Sequence, residues 1–329
     1  MLRAKAPTSM RIPPVLTSVP AVLFAACAAL ALVLVLRNGD GSAVHRAQGP
    51  GGKGAITAPK DRSVVPCSAA AADWVGALVD PSRVKAVPGQ IEKYSTLRLH
   101  PERWKDLPRF DRVDAENVLA YSPDLVLVSP VTHAATVTRM REVGLKVLVV
   151  REPTTWPELL ETGRLLAEAT GTEKRWAEFR SELEARREAL QNAAPEPALR
   201  LLAYGNFGAD SYTCGSGSTI DLALGLSGHR NHAGDLGLQG SATIAAEALL
   251  ASPFDAFVVS GSEGNSQSAA ALRGNPLLQD LAPVTEHRMI YIEDALYSSG
   301  SFTILDAAEQ IAAQAVGLRE AQGDPAGSR

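Results

Sequence analysis

The feature that most constrains this chain is a repeat. Glu116-Asn117-Val118-Leu119-Ala120-Tyr121-Ser122-Pro123-Asp124-Leu125-Val126-Leu127-Val128-Ser129 aligns without a gap to Glu247-Ala248-Leu249-Leu250-Ala251-Ser252-Pro253-Phe254-Asp255-Ala256-Phe257-Val258-Val259-Ser260. The Glu, Leu, Ala, Asp, Val and Ser positions are identical. Each copy reads as a short helix, a turn carrying Pro and Asp, and an apolar run. A short run that is apolar at every position suits a strand covered on both faces. One such unit in each half of the chain predicts two related α/β lobes.

The rest of the chain fits around those two units. Ser63–Val65, Arg83–Val87 and Lys146–Val150 read as further strands of a first lobe, residues 62–154. Arg200–Tyr204 and Met289–Ile292 do the same for a second lobe, residues 198–318. Strands alternating with helices such as Ala69–Val79 and Thr136–Val143 imply parallel sheets. Residues 155–197 read as two helices, Thr155–Ala169 and Thr172–Asn192, of which one can bridge the lobes as a stiff spine. Residues 319–329 are expected to be a polar, disordered tail.

The amino-terminal end sets the expected compartment. Arg3, Lys5 and Arg11 precede Val15–Leu36, which holds no charge. A helix of that length would be about 33 Å long, enough to cross a bilayer core. Basic residues ahead of it favour a cytoplasmic amino terminus. Residues 1–37 are therefore expected to be a membrane anchor or signal segment, with the folded part outside. Leu23–Cys27 has some lipobox character, so a lipid on Cys27 or cleavage stays open. Residues 38–61, rich in Gly, Pro and small polar side chains, read as a flexible tether.

Several function classes fall away. The net charge is -4, and no Lys/Arg run is interleaved with aromatics, so nucleic acid is not an expected partner. No P-loop, GxSxG or HExxH motif is present, and no enzymatic activity is expected. His100, His133, His229, His232 and His287 lack the spacing of a metal site, so no intrinsic metal or cofactor is expected. Cys27, Cys67 and Cys214 form no CxxC, and whether Cys67 and Cys214 pair stays open.

The stretch Glu116–Val128 resembles the class III periplasmic binding proteins of ABC importers, which serve ferric siderophores, haem and cobalamin. Arg62–Val75, Gly215–Asp221, Leu226–Asn231 and Pro276–Leu278 resemble other parts of that family in the same order. The opening loop Pro66–Ala69 and Asp73, where Glu is common, depart from its pattern. The resemblance implies two Rossmann-like lobes joined by one long helix, with a bulky metal chelate as ligand in the cleft. It also implies docking of Glu116 and Glu247 onto a permease. A membrane-anchored sensor or scaffold module without a permease is the alternative.

Ligands of parallel α/β lobes sit beyond the carboxyl ends of the strands. That places Cys67, Ser68, Gln90, Tyr94, Ser129 and His133 at the first lobe's side of the cleft. Tyr204, Phe207, Tyr212 and Tyr297 fall on the second lobe's side. Flat aromatic rings suit a corrin, porphyrin or catecholate face. Arg98, His100 and Trp104 are placed to reach the rim.

Overall fold

The apolar runs become strands because each is too short for a stable helix and finds cover on both faces. The computed structural model describes residues 62–207 and 210–321. The first lobe holds β1 (Val64–Pro66), β2 (Val87–Pro88), β3 (Arg109–Phe110), β4 (Leu125–Val128) and β5 (Val147–Val149). β1, β4 and β5 form a parallel sheet in the order β1-β4-β5. The parallel pair β2-β3 joins β1 through a bridge between Val64 and Val84. Side chains alternate along the strands. Val64, Leu125 and Leu127 enter one core and Val65, Val126 and Val128 enter another. Helix α1 (Ala69–Leu78) leaves β1, α2 (Ile91–Tyr94) follows β2, and α3 (Ala115–Leu119) precedes β4.

The connection is made by α4 (Trp156–Thr170) and α5 (Glu173–Asn192). Thr155 caps α4, and the Glu158 carboxylate accepts from the Thr154 N–H and hydroxyl at 2.9 Å each. That pattern is a variant of the capping box in which the carboxylate reaches one residue before the cap. A Cβ on Gly163 would lie 2.4 Å from the Trp176 ring, so α4 and α5 can approach this closely only at a glycine. α5 spans roughly 30 Å. Its Trp176 meets Trp74 of α1 edge-on at 6.1 Å. Its Arg186 donates to Glu309 at 2.8 Å and also to Asp306, both on the closing helix. Of the two helices between the lobes, α5 is the one that touches α1 on one side and the closing helix on the other.

The second lobe holds β6 (Arg200–Phe207), β7 (Asp210–Cys214), β8 (Arg230–Asn231), β9 (Ser241–Thr243), β10 (Ala256–Ser260) and β11 (Met289–Ile292). The order is β11-β10-β6-β7-β9, with β8 beside the start of β6. Helix α6 (Ala246–Ala251) precedes β10, the one-turn α7 (Asp294–Tyr297) follows β11, and α8 (Ile304–Ala321) closes the lobe. β8, β10 and β11 are parallel to their neighbours, whereas β7 and β9 are antiparallel. The expectation of a wholly parallel sheet is thus corrected here. β6 runs on past Tyr204, and the β-forming Tyr212 and Thr213 fold back against it. The Thr213 hydroxyl donates to the Ala203 carbonyl at 2.6 Å.

The repeat is real at atomic level. Leu125 of β4 pairs with Val64, and Ala256 of β10 pairs with Leu201, in the same parallel register. The Asp124 carboxylate accepts the Ser63 N–H at 2.8 Å, and the Asp255 carboxylate accepts the Arg200 N–H at 2.6 Å. Each repeated Asp thus ties its own strand to the first strand of its lobe. Burial does not separate the lobes, however. One continuous core takes Val64 and Leu127 from the first sheet and Leu201, Val258 and Ile290 from the second. It also takes Trp74 of α1, Leu159 of α4, Leu183 of α5 and Ile311 of α8. The connection is a shared core as well as a helix.

The apolar segment Val15–Leu36, Cys27 within it, the tether 38–61 and most of the tail lie outside the described residues. Among the described residues no helix is long and apolar enough to cross a membrane.

Candidate ligand cleft

The chain after each central strand has to turn outward, so the carboxyl ends of both sheets present loops. In this protein those loops meet one another. Helix α2, after β2, packs against α7, after β11. Lys93 reaches Asp294 at 3.8 Å, and Arg98 pairs with Glu293. Asp294 also accepts from the Ser260 hydroxyl, at the end of β10, at 2.5 Å. Gln90, Tyr94 and Tyr297 lie on the elements that form this junction, all half-buried, with the Tyr297 ring packed against the shared core. The Lys93 ammonium lies 4.9 Å from the centre of the Tyr94 ring, a cation–π contact. Burial pushes the Tyr297 phenol well above its ordinary pKa, with Cys214 as a charged-state neighbour.

Deeper in the seam the lobes are tied by Asp73 of α1. Its Oδ1 accepts from the Ser95 hydroxyl at 2.6 Å, and from the Thr96 N–H and hydroxyl at 2.8 Å each. Its Oδ2 accepts from the Ser301 hydroxyl, across the seam, at 3.0 Å. Asp73 is 3% exposed, and burial raises its pKa against the opposing pull of these hydrogen bonds. Phe302, next to Ser301, meets Trp74 at 5.1 Å and Phe179 at 4.8 Å.

Beyond β5 the chain delivers Glu152 to the same last loop. A Cβ built on Gly300 would lie 2.6 Å from the Glu152 Cγ and 3.4 Å from the Ala70 Cβ. Glu152 therefore sits where loops following β1, β5 and β11 converge. Solvent reaches its side chain, yet enough protein surrounds the carboxyl to push its pKa up.

Other expected site residues fall elsewhere. Cys67 is 3% exposed in the outer core of the first lobe, and burial pushes its thiol up to about 12. Tyr204 is 1% exposed, edge-on to Phe257 at 5.7 Å, with its hydroxyl 2.8 Å from that of Ser211. Tyr204 lies inside β6, and Cys67, one residue past β1, still donates its N–H to the Leu127 carbonyl at 2.7 Å, so both stay within cores. Trp104 is likewise buried. Cys67 and Cys214 are free thiols. Tyr212 lies on β7, half-buried, and the side chain of Phe207 is outside the described residues. Ser68 caps α1, accepting from the Ala71 N–H at 3.1 Å. Ser129 directly follows β4 and accepts from the Val131 N–H at 3.4 Å. His133 is exposed and spends its Nδ1 on the Ala135 N–H at 3.2 Å, capping the helix Ala134–Glu142. Glu116 and Glu247 are both exposed in the first turns of α3 and α6. Sequence reasoning missed Glu152 and the Asp73 tie. Arg98, expected to reach the rim, pairs with Glu293 across the α2–α7 junction.

Two α/β lobes whose strand-end loops enclose a shared seam define a ligand-binding architecture. Residues 63–296 match the family described as periplasmic binding protein, and the chain belongs to that family. A cobalamin-binding protein of Halobacterium salinarum is 29% identical over 161 residues, 49% of this chain and 43% of the relative. The match thus spans less than half of that relative. The fold resembles the periplasmic haem-binding protein RhuT from Roseiflexus at TM-score 0.68 and 20% identity, over 79% of this chain and 98% of the other. It also resembles HutB of Vibrio cholerae, titled a periplasmic haem-binding protein, at TM-score 0.67 and 22% identity, over 78% and 99%. The family and these neighbours are binding proteins, not enzymes.

Proposed function

We propose that this chain is an extracytoplasmic substrate-binding protein that takes a metal chelate between its lobes and hands it to an ABC importer. The observation that carries this reading is the convergence of Gln90, Tyr94 and Tyr297 on strand-end loops of opposite lobes. Two phenol-bearing rings beside a seam suit a flat macrocycle. The relatives' printed ligands, cobalamin and haem, belong to one chemical class of large metal chelates. The shared core makes the hinge stiff, so capture needs only small adjustments of the rim. Glu116 and Glu247, exposed at equivalent points of the repeat, are the groups that meet basic side chains on a permease. Exposed charges of this kind act mainly on encounter and orientation. The uncharged segment Val15–Leu36 would hold the protein at the membrane.

The test is direct. The purified full chain is titrated with cyanocobalamin, haemin and a ferric hydroxamate siderophore while tryptophan and tyrosine fluorescence is followed. Saturable quenching by at least one chelate is expected. Absence of binding to all of them overturns the reading.

A further inference from the structure

Acidic side chains that touch both lobes are nearly all matched. Asp73 accepts four hydrogen bonds. Glu293 holds Arg98, and Asp294 holds Lys93 and Ser260. Glu152 differs. Its stem lies against Gly300, which itself sits close to Ala70 of α1, and its carboxylate has no hydrogen-bond or ion-pair partner among the described residues. A carboxylate held there, open to water and engaged by nothing in the protein, keeps its acceptor capacity free for a ligand. A ligand that supplies N–H donors at that point can take it up.

The geometry points to Glu152 as the residue that selects the ligand, accepting hydrogen bonds from a neutral, amide-bearing chelate and rejecting chelates with peripheral carboxylates. This deepens the metal-chelate reading above and rests on it. Charge decides the direction. Two carboxylates brought together with little water between them repel, whereas an amide N–H against a carboxylate attracts. Cyanocobalamin carries primary amides around its ring, and haemin carries two propionates. The basic groups that cross the seam, Lys93 and Arg98, are already committed to Asp294 and Glu293. Gly300 is part of the same device, because any larger residue there would push on the Glu152 stem.

The experiment measures affinities of the full chain for cyanocobalamin and haemin, for wild type, Glu152→Gln and Gly300→Ala. Wild type should prefer cyanocobalamin. Glu152→Gln should shift the ratio of the two affinities toward haemin by about tenfold or more, with thermal stability unchanged because Glu152 bonds to nothing in the protein. Gly300→Ala should shift the ratio the same way by displacing the carboxylate without altering its charge. A haemin preference in wild type overturns the inference. So does a ratio that Glu152→Gln moves by less than about twofold while both chelates still bind, and in that case metal-chelate binding itself stands. If neither these two chelates nor the ferric siderophore binds, the functional reading falls and the inference falls with it.

Discussion

The two ends of the seam between the lobes make opposite use of a carboxylate. Both meet the same loop, Glu152 at Gly300 and Asp73 at Ser301. Asp73 is sealed from solvent and fully hydrogen-bonded, among Trp74, Trp176, Phe179 and Phe302. Glu152 is open to solvent and satisfied by nothing in the protein. A carboxylate that holds two lobes together must be paid in hydrogen bonds before any ligand arrives. One that reads a ligand must be left wanting them. The difference assigns the closed end to rigidity and the open end to recognition.

The sharpest way to break this contrast is Asp73→Ala. It strands the Ser95, Thr96 and Ser301 donors in a buried site, so a loss of at least about 3 kcal/mol is expected. Urea unfolding should show a lower midpoint at an unchanged slope. A midpoint equal to wild type would mean that the aromatic core alone holds the seam, and the contrast would collapse.

Acid offers the next largest effect, and it arises at neither end. His229 is buried, and its Nδ1 accepts the Leu199 N–H at 3.3 Å, a role open only to the neutral ring. Burial, aided by the Arg319 charge, lowers its pKa to about 4. The unfolded chain takes up the proton near pH 6.5, so stability is full above that value and falls as pH drops toward 4. The loss amounts to about 3 kcal/mol over that window. His232, also lowered by burial, acts in the same direction. His229→Asn should flatten the acid limb of a stability–pH curve. An unchanged limb would assign acid sensitivity to other groups, and comparisons of Asp73 with Glu152 belong above pH 7 for this reason.

The fold was legible because its signals are local. Leu125–Val128 and Ala256–Ser260 could be read as strands from apolar runs alone, and Asp124 and Asp255 sit at fixed offsets before them. The antiparallel pair β6-β7 was not legible, because Asp210–Cys214 is largely polar and carries no apolar run. Tyr204 and Cys67 were misplaced for one physical reason. The sheet runs on past the apolar run that marks it in the sequence, through Phe207 after Tyr204 and through the Cys67 N–H bond to Leu127, and sequence does not show where that cover stops. Asp73 stood out in the sequence only as a departure from the family pattern. Its partner Ser301 is 228 residues away, beyond any local pattern. Glu152 carried no motif at all. Its meaning comes from what is missing, a side chain at Gly300 and a partner for its own carboxylate.

The smallest effect tests the rim, where α2 meets α7. Arg98 and Glu293 have side chains 24% and 52% exposed, and Lys93 and Asp294 are more open still on average. Solvent screens such pairs, so a double-mutant cycle on Arg98→Ala and Glu293→Ala should give a coupling of about 0.2–1 kcal/mol. Raising salt to about 1 M shortens the screening length to about 3 Å and should remove most of it. These pairs close the mouth of the seam without adding to its strength, which predicts a kinetic signature. Arg98→Ala should speed chelate association and dissociation together and leave the equilibrium affinity within about twofold. A coupling of several kcal/mol that survives high salt would make the rim a second structural tie like Asp73. The seam would then be fastened at both ends, leaving Glu152 enclosed between two locks instead of facing an open mouth.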